Sequence, residues 1–195
     1  FIPLSEALTR NVSGVFSCLP HKTAAEKIIP FIDKGEAVVV DLSADFRMRN
    51  PEIYERHYCK HPKPDLCQSA TYGLSEHYET EISKSKLIGN PGCYPTSILI
   101  PLIPLIKKDL IEPNGIISDS KSGVSGAGKT PSPVTHFVET NESFAAYAIG
   151  DEHRHLSEIN EQLSLFAKQN VSVLFTPHLV PMTLSLIHIS EPTRL

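Results

Sequence analysis

The pattern of apolar and polar residues in the first half of the chain predicts strands that alternate with helices. Two apolar runs, 12–19 and 37–42, have the length and composition of buried strands. Between them, the segment 23–34 has apolar residues at helical spacing, interrupted by Pro30, and Gly35 follows as a helix-stop signal. A strand, a helix and a strand in about thirty residues form a βαβ unit. We therefore expect a parallel sheet with a right-handed crossover.

Local helix signals continue after this unit. Asn50 can cap a helix in which Pro51 takes the first position, and we predict a short helix that ends at His57. The proline-rich segment 58–68 is predicted to be a loop, and a weak helix follows residues 72–74.

The second half of the chain keeps helix and strand signals but loses the regular alternation. Because the pattern changes near Cys93, we predict one domain over 1–92 and a second over 93–183. The predicted elements around and after this boundary are a strand at 86–89, a helix from 93 to about 110, strands at 115–120 and 171–175, and an amphipathic helix at 152–168.

Composition narrows the class of protein. With 41% hydrophobic residues, 21% charged residues and a net charge of −4, the chain is typical of a globular protein without a nucleic-acid or membrane surface. The four cysteines are irregularly spaced, which favours a reducing, cytoplasmic setting. The cluster His57, Cys59, His61 and Cys67 lacks a paired C-x-x-C, so we expect no metal site.

Cys93 is the candidate nucleophile. It follows Asn90-Pro91-Gly92, between the predicted strand and the apolar helix. A thiol at a helix start lies beside unpaired backbone N–H groups and the positive end of the helix dipole, which favour the thiolate and can hold an oxyanion. A buried, inert thiol in a turn is the alternative.

Two histidines supply a candidate proton donor. His153 and His155 flank Arg154 at the start of the predicted helix 152–168. A cysteine nucleophile needs such a group nearby, and histidine titrates in the right range. We expect one of the two rings to face the Cys93 thiol.

The segment 123–130 matches the Walker A pattern G-x-x-x-x-G-K-T, yet we predict no nucleotide triphosphate site there. Pro131 and Pro133 follow at once, and a proline inside the required helix costs about 3 kcal/mol or more. A loop of such small residues still lets a ligand approach the backbone closely. Lys129 is then a candidate cation for an anionic group.

Seven motifs together resemble the N-acetyl-γ-glutamyl-phosphate reductase family of arginine biosynthesis. The resemblance covers about residues 12 to 183. It implies an α/β fold: the C-terminal part of a Rossmann-like parallel-sheet domain, then an incomplete α+β catalytic domain of the semialdehyde and glyceraldehyde-phosphate dehydrogenase type. The motifs are Leu19-Pro20-His21, residues 40–47, Tyr72-Gly73-Leu74, residues 90–96, residues 122–128, His153-Arg154-His155 and residues 175–181.

The resemblance implies the chemistry and its residues. Cys93 would displace phosphate from an acyl phosphate to give a thioester, NADPH would deliver hydride, and the semialdehyde would be released. His153 matches the acid/base, with His155 as the second candidate. Cofactor contacts are implied for Leu19, Pro20, His21, Ser125, Gly126, Ala127 and Gly128, and substrate contacts for Arg47, Asn90 and Lys129.

The chain departs from the family pattern at both ends. The glycine-rich dinucleotide fingerprint, which the family has after the first strand of its cofactor domain, is missing, since the chain starts beyond it. The segment 184–195 resembles a translated adapter sequence rather than the family. We therefore expect an internal fragment of an enzyme that forms a homo-oligomer. Three alternatives stay open: a relative acting on aspartyl or aminoadipyl phosphate, a Cys/His hydrolase without a cofactor, and a non-enzymatic binding module.

Overall fold

The computed structural model describes residues 2–127, 130 and 132–183. The predicted contacts of Gly128 and Lys129, and the tail 184–195, lie outside the described residues. The chain divides into two compact units, Phe1–Gly92 and Cys93–Leu195. No helix in the described ranges is long and apolar enough to cross a membrane.

The first unit contains a four-stranded sheet in the order β1-β2-β4-β3, and each neighbouring pair of strands is parallel. The parallel βαβ arrangement expected from the sequence is confirmed. The strands are β1 (Gly14–Ser17), β2 (Val38–Asp41), β3 (Thr71–Tyr72) and β4 (Leu87–Gly89), and the helices are α1 (Leu4–Ala7), α2 (Thr23–Lys34), α3 (Pro51–His57) and α4 (Ser75–Ile82).

Helices α2 and α3 have the predicted bounds because their end signals are local. Gly35 follows α2 with a φ of 71°, a left-handed conformation that glycine adopts without steric cost. Pro30 lies inside α2 without ending it. At the start of α3, the Asn50 side chain accepts a hydrogen bond from the Glu52 N–H at 2.9 Å.

The core of the first unit forms between the sheet and α2. Val39 and Leu87, on neighbouring strands, are buried with Ile28 and Phe31 of α2. Phe46, from the loop after β2, completes this cluster. The loop after β2 is therefore anchored from within the core.

The second unit contains a mixed three-stranded sheet in the order β5-β7-β6, in which β5 is parallel and β6 antiparallel to β7. Helices α5 and α7 pack against each other. The strands are β5 (Ile117–Gly123), β6 (Ala145–Ala146) and β7 (Leu174–Val180), and the helices are α5 (Cys93–Lys107), α6 (Phe137–Thr140) and α7 (His155–Ala167).

Several predicted bounds in this unit were wrong. The strand predicted at 171–175 begins at Leu174 and continues to Val180. Val171 and Val173 are buried, although they do not belong to the strand. Their apolar side chains therefore indicated burial and not pairing in a sheet. Similarly, the strand predicted at 115–120 lies at 117–123.

Candidate active site

Cys93 is the first residue of α5, a helix of 15 residues. The thiol is half-buried and free of any disulfide. Residues 90–92 lead from β4 into the helix, so the predicted strand–turn–helix sequence is confirmed. The first backbone N–H groups of an α-helix have no partner within the helix, and they favour negative charge at this position.

An aromatic and histidine cluster lies in the same unit as Cys93. The Tyr94 and Tyr147 hydroxyl oxygens are 2.9 Å apart. The His153 ring contacts both tyrosines edge-on, with centroids 5.3 Å from Tyr94 and 5.7 Å from Tyr147. His155 is beside His153, at 4.9 Å between ring centroids, and Phe175 of β7 packs against His153 at 5.2 Å. The structure thus brings both predicted histidines to one cluster.

Electrostatics connect Cys93 to this cluster. Burial raises the pKa of Tyr94 above its ordinary range, and the hydrogen bond with Tyr147 and the charge of Cys93 raise it further. Burial also raises the pKa of Tyr147, and the charge of Cys93 raises it further. The hydrogen bond with Tyr94 and the charge of Arg154 lower the pKa of Tyr147. Both hydroxyls therefore keep their protons at neutral pH and can act as hydrogen-bond donors.

The hydrogen bonding of His153 sets its tautomer. Its Nδ1 accepts a hydrogen bond from the His155 backbone N–H at 3.1 Å. A neutral His153 ring consequently carries its proton on Nε2. This arrangement puts a hydrogen-bond donor at Nε2.

The glycine-rich loop begins where β5 ends. Ser125, Gly126 and Ala127 lie in a 3₁₀ turn, Val124–Ala127. Ser125 also lines a cavity of about 380 Å³ whose walls include Thr135, Phe137, Asn141 and Met182.

The described part of the segment after this loop does not resemble a phosphate loop. Pro133–Thr135 form a second 3₁₀ turn, capped by Ser132, whose hydroxyl accepts from the Thr135 N–H. A Walker A lysine and threonine require the first turn of a long helix at this point.

In the first unit, the predicted cofactor residues follow β1. Leu19 is exposed, and His21 accepts a hydrogen bond on Nδ1 from the Ala44 N–H at 3.0 Å. Because β1 and β2 are parallel, residues 19–21 and the loop after β2 meet at the carboxyl edge of the sheet. Ligands of parallel α/β sheets bind at this edge.

Arg47 has a structural role at the same edge. It is buried, with its Nε donating to the Asn90 carbonyl at 2.6 Å and an Nη2 donating to the Leu42 carbonyl at 2.8 Å. The Asn90 side chain donates to the Pro91 carbonyl at 3.2 Å. Substrate contacts of Arg47 and Asn90 stay predictions.

The residues of the loose cysteine and histidine cluster take other partners. His61 is buried, with Nε2 2.6 Å from the Asp45 carbonyl and Nδ1 accepting from the Lys63 N–H at 3.0 Å. The Cys59 sulfur is 3.7 Å from the Tyr54 hydroxyl. Within the described ranges, no group of three or more His, Cys, Asp or Glu side chains could hold a metal ion.

Sequence reasoning missed Tyr147. It follows the two-residue strand β6 and reaches Tyr94 across 53 positions of the chain. No local motif marks Tyr147. The available signal was its position in the sequence, six residues before His153.

Known proteins resemble the chain over both units. A family model described as the NAD-binding domain of semialdehyde dehydrogenase matches residues 2–85, and one described as the dimerisation domain matches residues 93–191. The second match extends into the tail 184–195, although we expected from the sequence that this tail does not resemble the family.

Curated relatives are N-acetyl-gamma-glutamyl-phosphate reductases. The protein from Desulforapulum autotrophicum is 52% identical over 91% of this chain and 51% of its own length. The protein from Geobacter metallireducens is 49% identical over 86% of this chain and 48% of its own length. The chain therefore spans about half the length of the curated relatives it matches.

A solved structure supports the fold alone. Aspartate semialdehyde dehydrogenase from Francisella tularensis aligns with a TM-score of 0.57 at 13% identity, covering 92% of this chain and 57% of that chain. The α/β architecture, the two matching domain models and the curated relatives agree with one another. The chain belongs to the semialdehyde dehydrogenase family, and N-acetyl-gamma-glutamyl-phosphate reductases are among its relatives.

Proposed function

We propose that the protein carrying this chain reduces N-acetyl-γ-glutamyl phosphate to the corresponding semialdehyde, with NADPH as reductant and phosphate as leaving group. The observation that carries the proposal is the position of Cys93 at the first residue of α5, in the unit that also contains the His153 cluster. The names of the curated relatives support this substrate over other acyl phosphates.

The Cys93 sulfur attacks the acyl carbon of the substrate. A carbon–sulfur bond forms while the bond from that carbon to the phosphate oxygen breaks, and phosphate leaves with the electron pair. In this proposal the N–H groups at the start of α5 stabilise the negative charge that develops on the acyl oxygen. The product of this step is a thioester on Cys93.

A neutral His153 acts as a hydrogen-bond donor in the second half of the reaction. When bound, NADPH supplies a hydride to the acyl carbon. The carbon–sulfur bond then breaks and Cys93 returns as a thiolate. The Nε2–H of His153 donates a hydrogen bond to the acyl oxygen while negative charge is on it, and the proton stays on His153 when the carbonyl re-forms; the tyrosine pair packs against the His153 ring.

The first unit fits a nicotinamide cofactor at the carboxyl edge of its sheet. Leu19 and Leu42 are exposed there, beside the start of the 12-residue helix α2. Apolar side chains of this kind can pack against a nucleotide base. We infer that Leu19, Pro20 and His21 contact the cofactor, while contacts of Ser125, Gly126 and Ala127 with it stay predictions from the resemblance. The preference for NADPH over NADH is part of the proposal.

The test uses the protein expressed from its whole gene. We expect phosphate-dependent reduction of NADP⁺ in the presence of N-acetylglutamate semialdehyde, followed by the absorbance of the reduced nicotinamide. Cys93→Ser should abolish this activity, while Cys18→Ser, which changes an exposed cysteine, should retain it. Higher kcat/KM with aspartate or aminoadipate semialdehyde would contradict the substrate assignment.

Two further outcomes separate the other classes of protein. Turnover of a simple ester without nucleotide, dependent on Cys93, would favour a hydrolase. Nicotinamide binding that is unaffected by Cys93→Ser, without any turnover by the wild-type protein, would favour a binding module.

We also infer that the protein assembles as a homo-oligomer. The family model that matches residues 93–191 is described as a dimerisation domain. Light scattering coupled to size-exclusion chromatography should give a mass of at least two protomers, and a monomer would refute this inference.

A further inference from the structure

Asp45 is a buried carboxylate in the loop after β2, and it collects hydrogen bonds from three donors. Its side chain is only 1% exposed. The Lys22 N–H lies 3.0 and 2.9 Å from its two carboxylate oxygens. The Ala25 N–H donates to Oδ2 at 2.9 Å, and the Tyr54 hydroxyl donates to Oδ1 at 2.7 Å. Two of the three donors belong to the start of α2.

The turn before α2 is strained at Lys22. This residue has a φ of 67° and a ψ of −53°, and the Thr23 N–H donates to the His21 carbonyl at 2.8 Å. These angles and this bond define a classic γ-turn, which is rare and strained for a residue other than glycine. Such strain persists only where surrounding contacts hold it.

The Asp45 carboxylate supplies those contacts. Lys22 occupies the N-cap position of α2, and its own side chain makes no capping hydrogen bond. Asp45 takes that role from 23 positions away in the chain, holding the Lys22 N–H and a first-turn N–H of the helix together. The strained turn and the helix start are therefore fixed by one side chain.

The held turn lies next to Leu19 and Pro20 in the segment that follows β1. His21 is the first residue of the γ-turn, and its ring accepts from the N–H of Ala44, the neighbour of Asp45. Both ends of the turn are thus fixed by the same loop after β2. Strain stored in a loop at the ligand-binding edge of a parallel sheet indicates a functional constraint on its shape.

We propose that Asp45 is a positioning residue for cofactor binding, which holds the 21–23 turn in the shape that contacts the nicotinamide cofactor. The proposal rests on the cofactor site inferred above. Asp45 itself does not touch the cofactor; it acts through Lys22 and His21. The position requires a carboxylate, because both oxygens accept hydrogen bonds, whereas the NH₂ group of an asparagine would face another donor.

The first experiment compares Asp45→Asn with the wild-type protein, both expressed from the whole gene. We expect the Kd for NADPH to rise by about tenfold, the size of effect that loss of one charge-assisted hydrogen bond produces. In amide hydrogen exchange, the Lys22 and Ala25 N–H groups should exchange at least about tenfold faster. The Ile28 amide, in the middle of α2, serves as the internal control and should change little.

A matched pair of second-site variants isolates the strain. Lys22→Gly and Lys22→Ala both remove the exposed lysine charge, but only glycine removes the steric cost of the positive φ. In the Asp45→Asn background, Lys22→Gly should recover NADPH affinity relative to Lys22→Ala. Equal affinity of the two double variants would contradict the role of the strained turn.

Other outcomes are equally decisive. Faster exchange at Lys22 with an unchanged Kd for NADPH would overturn the proposal while leaving the proposed function intact. Equal acceleration at Lys22 and Ile28 would show a purely structural carboxylate. If the wild-type protein binds no NADPH, the proposed function fails and this inference with it.

Tyr54→Phe keeps the experiment informative if Asp45→Asn does not fold. This change removes one hydrogen bond to the carboxylate and leaves the ring in place. The Lys22 exchange rate and the Kd for NADPH should both rise several-fold. Wild-type values for both would refute the proposal.

Discussion

Gly89 lies where two parts of the backbone approach each other too closely for a side chain. A Cβ atom built on Gly89 would lie against the carbonyl oxygen of Phe46, 2.6 Å from its carbonyl carbon and 3.1 Å from the Arg47 nitrogen. Ordinary contacts between carbon atoms are about 3.5–4.0 Å. Gly89→Ala therefore requires the backbone at 46–47 to move by about 1 Å.

The cost of that movement can be worked from the contacts that it disturbs. Overpacking of a core costs about 1–3 kcal/mol, and the upper end applies because the clash is with backbone atoms. The displaced segment also carries the Arg47 hydrogen bonds to the Asn90 and Leu42 carbonyls, at 2.6 and 2.8 Å. We expect Gly89→Ala to lower the free energy of unfolding by about 3 kcal/mol.

Thermal unfolding followed by circular dichroism measures this effect. For a chain of this size, about 3 kcal/mol corresponds to a fall in Tm of about 6–12 °C. Gly14→Ala is the matched control, since Gly14 lies in β1 of the same sheet and its added Cβ would meet nothing closer than the Val38 carbonyl oxygen at 3.9 Å. Equal Tm values for the two variants would refute the close approach at Gly89.

Three further predictions concern individual side chains. Tyr147→Phe removes the 2.9 Å hydroxyl contact with Tyr94 and should lower the free energy of unfolding by about 1 kcal/mol, measured by urea titration; an unchanged value would exclude the hydrogen bond. Burial raises the pKa of Asp41 above 3.8, so the folded state keeps a proton that the unfolded chain has lost. The contribution of Asp41 to the free energy of unfolding is therefore fully present below pH 3.8 and is lost as the pH rises through the folded-state pKa. Asp41→Asn should remove this part of the pH dependence of the free energy of unfolding, measured by urea titrations at several pH values. A pH profile identical to that of the wild-type protein would contradict this prediction. Iodoacetamide at neutral pH should modify Cys93 about tenfold faster than the more exposed Cys18, because only Cys93 starts a helix. Mass spectrometry of the labelled peptides measures both rates, and faster labelling of Cys18 would contradict the prediction.

Much of the fold was determined by local sequence signals. Asn50-Pro51 and Gly35 mark helix ends through hydrogen bonds and backbone angles that involve only neighbouring residues, and the structure confirms both. The helix start at Cys93 follows from the same kind of signal. The short strands β3 and β6, at two residues each, were missed because they carry too few positions for a period of two to show.

The candidate site divides in the same way. The sequence alone was enough to propose Cys93, His153 and His155 as candidates, because their motifs are contiguous and chemically distinctive. Only the tertiary structure showed that Tyr147 contacts Tyr94, 53 positions away in the chain. It alone also showed that the Asp45 carboxylate accepts a hydrogen bond from the Lys22 N–H, 23 positions away.

Those partners are chosen by how the elements pack, and packing leaves no periodic trace in the sequence of either partner. An aspartate in a loop is usually a solvated charge. At Asp45 the fold buries the carboxylate and surrounds it with donors that come from α2 and α3. Local hydrogen bonding thus set where helices begin and end, while burial and long-range contacts determined which polar groups meet.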